Sequence, residues 1–353
     1  MRKLLAVAFA VGLAMPALAA DVHEFPAPGI QASLLKIEAS GDIEAIRPLI
    51  EDFQAANPAI SVTYSDSLTN DLYALLQKEC DARRPFADLV FSSSADHIVK
   101  LANDGCAQTH VSPETNAAPA FARWRDEVFG FTFEPAVIVY NRTLVPQADV
   151  PHSRDALADL LRNKAALYSG RIGTYDIARS GIGYLFSAHD AQQSSAYGRM
   201  LEGFGRASAR LYCCSGDLLG DIASGKLLIG YNVLGSYAYG RLKAGAPIGI
   251  VLPDDYTLVL SRAAFIPAAA PNPAAGKMFL DYLLSVRGQR IAAERSFYFA
   301  FGKPAPEGVD APDADRLPGI WRPIAIGPAL LAVTDAHKRQ RMLREWNEAL
   351  GSQ

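Results

Sequence analysis

From residue 33 onward this chain alternates short apolar strand patterns with amphipathic helix patterns, and that alternation restricts it to an α/β fold. SLLKIEA (33–39) reads as a first strand. Ser40-Gly41-Asp42 then supplies a turn and helix start before a helix over 43–56, with Ile43, Ile46, Ile50 and Phe53 on one face. Asn57-Pro58 stops that helix. A second strand over 60–64, a helix over 70–83 and the buried strand DLVF (88–91) follow. Ser92-Ser93-Ser94 caps a helix over 95–103 that ends at Asp104-Gly105. FGFTFEPAVIVY (129–140) is a long extended segment. A second α/β set comes next: helices over 153–163, 181–192, 196–206, 216–224 and 234–243, with strands over 171–175, 227–231 and 248–252. TLVLSRAAFIP (257–267) is another extended run, leading to helices over 273–284 and 288–295. An irregular stretch over 302–328 and a charged amphipathic helix over 330–350 end the chain. Two extended runs bracketing a middle set predict two chain crossings. They define a discontinuous first lobe (21–136 plus 260–353) around a second lobe (137–259), with no internal repeat.

The first twenty residues read as a secretory signal peptide. Arg2 and Lys3 form a positive start, 4–15 is a short apolar core, and Ala17-Leu18-Ala19-Ala20 matches the peptidase's small-residue pattern. The apolar stretch is shorter than the ~20 residues a membrane span needs. Export predicts a periplasmic protein, with cleavage near Ala19 or Ala20. Losing Arg2 and Lys3 takes the net charge from −3 to −5, which argues against nucleic acid as a partner. In an oxidising compartment the four cysteines are candidates for disulfides. Cys80–Cys106 would tie a helix end to the turn after the next helix. Cys213 and Cys214 then remain as a vicinal disulfide or two free thiols.

Motifs for catalysis or cofactors are missing: no GxSxG, HExxH, P-loop or dinucleotide glycine fingerprint. Ser33 and Lys36 match SxxK, but on a strand they point to opposite faces. His97, His110, His152 and His189 are not spaced as metal ligands. The chain has small hydroxyl and glycine residues at helix starts instead: Ser40-Gly41, Ser93-Ser94 and Ser180-Gly181, the last following Thr174 and Arg179. Backbone N–H groups at helix N-termini, joined by hydroxyls, form anion sites, and Arg179 would add a bidentate donor. Each turn taken alone is also explained by plain N-capping. The expected cleft gathers these residues with Asn232 and Tyr256 as readers of further polar groups. Arg262 is either a second cation or the partner of Asp254 or Asp255.

ADLVFSSSADHIVKLANDG (87–105), VIVYN (137–141), IASGKLLIGYNVLGSYA (222–238) and AAGKMFLDYLLSVRGQ (274–289) resemble type II periplasmic solute-binding proteins. The nearest resemblance is to the extracellular solute-binding family that includes ferric-iron and organophosphate binders. It implies a type II two-lobed fold, each lobe a mixed sheet flanked by helices, joined by two hinge strands. It also implies a monomer that closes on a small solute and delivers it to an ABC permease, without catalysis or a cofactor. Ferric members carry adjacent tyrosines where this chain has Gly235 and Ser236, with Tyr237 and Tyr239 just beyond. The sequence reading is therefore a binder of a small phosphorylated or carboxylated anion. A ferric-ion binder using Tyr237 and Tyr239, and a partner of a membrane sensor kinase, are the alternatives.

Overall fold

The computed structural model describes residues 20–313 and 315–351, so the expected signal peptide lies outside the described residues except for Ala20. Two mixed eight-stranded sheets, each flanked by helices, make two lobes. In the first, strands Ser33–Ala39, Ile60–Asp66 and Leu89–Ser92 run parallel in the order 60–66, 33–39, 89–92. Asp21–Phe25 adds an antiparallel edge on Ile60–Asp66. On the other side, Ala263–Pro267 pairs antiparallel with Leu89–Ser92 and then with Val128–Gly130. Helix Ile43–Ala56 buries the apolar face read from its sequence, Ile43, Ile46, Ile50 and Phe53, together with Leu49. Phe53 meets Phe279 of helix Pro273–Leu284 edge-on at 4.9 Å, closing the first core.

The second sheet is built around Glu134–Asn141, which is buried along its whole length. Ile229–Leu234 and Ile248–Val251 flank it antiparallel, and Ile172–Tyr175 and Arg210–Tyr212 extend one side in parallel. Each long extended run is thus split between the sheets. The chain crosses at 131–133, between Val128–Gly130 and Glu134–Asn141, and at 261–262, between Thr257–Leu260 and Ala263–Pro267.

The C-terminal region departs from the expected lobe boundaries. Helices over 273–296 stay with the first core, but Phe299 already packs in the second. Val309–Asp310 then pairs with Ile248–Val251, and Trp321–Pro323 with Thr257–Leu260, so these strands belong to the second sheet. Helix Ala336–Leu350 packs on helix Tyr197–Arg206, while the turn Pro328–Ala332 packs on helix Ala95–Asn103 of the first lobe. Against expectation, the residues after 298 therefore join the second lobe for the most part, and the turn Pro328–Ala332 returns to the first. Strands of two and three residues are too short to carry a readable alternation, and only their long-range pairing reveals them.

Cys80 and Cys106 form the expected disulfide, with 5.5 Å between Cα atoms, and the bond closes a loop whose size corresponds to about 3.5 kcal/mol of chain-entropy stabilisation. Cys213 and Cys214 are joined to each other. No helix among the described residues is long and apolar enough to cross a membrane.

Candidate functional site

Parallel strands feeding helices place strand C-termini and helix N-termini at the same edge, where α/β sheets receive ligands. In this molecule those edges of both lobes face one another across a cleft of about 470 Å³. Six helices begin at it, at Ile43, Thr69, Ala95, Gly181, Ser215 and Gly235, represented in its lining by Asp42, Thr69, Ser93, Ser180, Ser215 and Leu234.

The two walls differ in charge. From the first lobe come Asp21, Asp42, Asp66 and Asp71, and the one base on that side of the lining is Arg262 at the chain crossing. From the second come Arg179, Ser180, Ser215, Tyr175 and Tyr237, with no acid among them. Asp66 accepts the Gly41 N–H at 2.9 Å. Its pKa is nonetheless raised to about 6, by burial first and by the neighbouring Asp42 charge in addition. Desolvation between the walls raises Asp42 as well. Burial lifts the Tyr175 phenol to about 12 and raises Tyr237, so both present neutral hydroxyls at neutral pH.

Arg262 sits where the chain crosses, 1% exposed. Its Nε donates to Glu134 at 2.8 Å, Nη1 to the Ser40 carbonyl at 2.7 Å and Nη2 to the Tyr237 hydroxyl at 2.9 Å. Glu134 also accepts from Thr132 at 2.9 Å and from Ser236. Burial is the largest single influence on Arg262 and works against its charge, but Glu134, Tyr237 and Tyr64 together more than offset it and raise the guanidinium pKa further. Contrary to the sequence alternative, Arg262 does not pair with Asp254 or Asp255. Asp255 is held by Arg154 in the second lobe.

The lobes touch directly. Asn70 donates to the carbonyls of Ala178 and Arg179 at 3.1 and 2.9 Å, Thr69 accepts the Gly181 N–H at 2.8 Å, and Tyr237 accepts the Asp42 N–H at 3.2 Å. A Cβ on Gly181 would lie 2.4 Å from Ser94 Oγ, so only glycine allows this approach.

Among the residues expected to bind, Ser40, Gly41, Ser93, Arg179 and Ser180 come together in the cleft lining. Ser40 spends its hydroxyl on Ser92 and the Ser93 N–H, so it shapes the turn. Ser180 caps its helix through the Gly183 N–H. Ser94 and Gly181 lie behind the lining, at the lobe contact, and Ser94 Oγ makes no cap bond. The remaining three residues are elsewhere. Thr174 bonds the Tyr231 carbonyl inside the second sheet. Asn232 and Tyr256 both donate to the buried Asp190, at 2.6 and 2.7 Å, which turns them into the second core and away from the cleft. The two tyrosines of the ferric alternative also part company. Tyr237 lines the cleft, while Tyr239 packs on Tyr298 and Phe299. Among the described residues no group of three His, Cys, Asp or Glu side chains is placed to hold a metal ion.

The acidic wall and Tyr175 escaped the sequence reading, which held the Cys213–Cys214 disulfide as one of two alternatives without placing it at the cleft. One signal did exist for the crossing: Glu134 and Arg262 are lone charges inside the apolar runs FGFTFEPAVIVY and TLVLSRAAFIP, and such charges need each other.

Two lobes with helix starts facing a shared polar cleft define a solute-capture protein of the hinged kind. The model of the bacterial extracellular solute-binding protein family matches residues 35–298. A solved substrate-binding protein of an ABC transporter from Agrobacterium tumefaciens is 38% identical, with a TM-score of 0.86, covering 95% of this chain and 100% of that one. The chain belongs to this family of extracellular solute-binding proteins, which serve ABC transporters. More distant structures share the fold. Iron-bound HitA from Pseudomonas aeruginosa is 17% identical with a TM-score of 0.69, covering 89% of this chain and 99% of its own. AfuA from Actinobacillus pleuropneumoniae with bound fructose-6-phosphate is 16% identical with a TM-score of 0.72, covering 91% and 99%. A comparison with curated protein sequences finds no match.

Proposed function

We propose that this solute-binding protein captures a small bipolar organic solute in the periplasm and passes it to an ABC permease without converting it. One end of the solute is a phosphate, phosphonate or carboxylate. The other carries ammonium or hydroxyl donors. The observation behind this reading is the opposition of the walls. Arg179, Ser180 and three helix starts of the second lobe favour an anion, while four carboxylates of the first lobe call for donors. A purely anionic solute would meet four carboxylates against Arg262, whose guanidinium is already committed to Glu134, the Ser40 carbonyl and Tyr237, and a purely cationic one would meet Arg179. The separation of Tyr237 from Tyr239 speaks against ferric ion, which favours a hard oxygen donor set.

A ligand that binds only the native closed form raises its melting temperature by mass action. Mature protein is screened with aminoalkyl phosphates and phosphonates, amino acids, sugar phosphates, dicarboxylates, polyamines and ferric citrate. Native mass spectrometry identifies any solute carried through purification. Bipolar compounds should give the largest shifts. A shift from polyamines alone, or from ferric salts with a visible charge-transfer band, would sink the reading.

A further inference from the structure

The second-lobe wall contains, beside its hydroxyls and Arg179, the Cys213–Cys214 disulfide, which neither donates a hydrogen bond nor carries charge. It joins adjacent residues, with Cα atoms 3.8 Å apart, at the end of strand Arg210–Tyr212 and the start of helix Ser215–Ala223. Strand Ile172–Tyr175 lies alongside, and the Asp176 N–H donates to the Tyr212 carbonyl at 2.8 Å, so the disulfide turn and the Arg179 turn are neighbours. Both cysteines are partly exposed and both line the cleft. Cys214 occupies the N-cap, a position favouring Ser, Thr, Asp or Asn because their oxygens bond the first-turn amides. Its sulfur is committed to Cys213, and no side chain caps this helix. The apolar Ile182 and Leu234 line the same cleft.

We propose that the Cys213–Cys214 disulfide is a solute-contact element that sets specificity. Its sulfur pair, with Ile182 and Leu234, seats the carbon linker between the solute's charged ends. Closure of the ring keeps the Cys214 side chain off the first-turn amides of helix Ser215–Ala223, which leaves them for the anionic end. The solute class is then a bipolar molecule with a short saturated linker, and the proposal rests on the bipolar reading above. Serine at position 214 would cap the helix itself and compete with the anion, whereas alanine would only remove the sulfur contact and the ring.

The test is calorimetry of phosphoethanolamine on the full mature protein. Oxidised wild type is compared with Cys213→Ala/Cys214→Ala, Cys213→Ser/Cys214→Ser and, as a control, Cys80→Ala/Cys106→Ala. The alanine pair should bind at least tenfold more weakly and the serine pair more weakly still, while the control loses stability but keeps its affinity. Equal affinity in wild type and the alanine pair overturns the proposal. If wild type does not bind phosphoethanolamine, the bipolar reading fails for that probe, and a measurement without solute decides the disulfide's place. Asn70→Cys and Arg179→Cys are joined by a bismaleimide to lock the lobes, and the opening of Cys213–Cys214 by glutathione is followed by alkylation and mass spectrometry. Opening should slow at least tenfold if the sulfurs face the cleft. An unchanged rate overturns the proposal whatever binds.

Discussion

Two buried arginines, Arg154 and Arg262, show how similar chemistry serves different ends. Both are essentially unexposed, both pair with a carboxylate, and both stack on a tyrosine ring. Arg154 and its partners lie within one lobe. It donates to Asp190 and Asp255, each at 3.1 Å, and to the Tyr256 carbonyl at 2.6 Å. Asp190 in turn collects Tyr231, Tyr256 and Asn232, which holds Asn232 at φ 58 in the irregular stretch of strand Ile229–Leu234. That centre shapes a core. Arg262 instead reaches from Glu134 at the crossing to Ser40 in one lobe and Tyr237 in the other. A buried pair inside a lobe bears on stability alone, whereas one between lobes also bears on the closed geometry.

Arg262→Met should have the largest effect. It leaves Glu134 buried without its counter-charge, destabilising by ~3–5 kcal/mol, and it releases Tyr237 and the Ser40 turn. Urea unfolding measures the first loss, and titration with the best solute of the screen should show affinity down more than tenfold. Arg154→Met should cost a similar ~3–5 kcal/mol but leave affinity within about threefold, a change below the tenfold that 1.4 kcal/mol represents. Equal affinity losses in the two variants would break the comparison.

Arg179→Ala tests an exposed cation that contributes to neither buried centre. Affinity should fall about tenfold, ~1.4 kcal/mol, with stability unchanged within ~0.5 kcal/mol. Arg179→Lys should recover only part of the affinity, because lysine keeps the charge without the planar fork. Unaltered calorimetry in Arg179→Ala would remove this residue from the site.

The smallest effect concerns Asp66. Its folded pKa of about 6 lies above the ordinary 3.8, so the fold favours its protonated form. The stability this group contributes is complete below 3.8 and is lost as pH rises through about 6. Asp66→Asn, which keeps an acceptor for the Gly41 N–H, should flatten the stability profile across that window. Affinity for a bipolar solute should rise in wild type as pH climbs through about 6, because the ionised carboxylate accepts better. A wild-type affinity flat across this range would remove Asp66 from the donor end.

Local signals carried most of the fold. Helix Ile43–Ala56 was readable from its apolar spacing, and Pro273–Leu284 from its pattern and the proline at its start. Ser180 was readable as a cleft residue because strand, turn and cap follow one another in sequence. Asn232 and Tyr256 were not, because residue type says that a group wants a partner without saying where the partner is. Asp190, on a helix 42 and 66 residues away in sequence, claims them both. The acidic wall was hidden for a related reason. Asp42 and Asp66 sit at the ends of different elements, and only pairing of the parallel strands brings Asp66 to the Gly41 amide.

The chain's tail gives the molecule a restraint that two crossings alone would lack. Pro328–Ala332 rests on the first lobe, the Tyr184 hydroxyl holds the Val333 carbonyl at 3.2 Å, and helix Ala336–Leu350 is bedded on the second lobe. The arrangement works like a check-strap on a door: the lobes can swing, but the gape is limited by the slack in a few residues. A narrow gape keeps the open form close to the closed one, so a captured molecule meets few wide-open moments in which to escape. Residence time would then be governed by the length of the tether as much as by the strength of the grip.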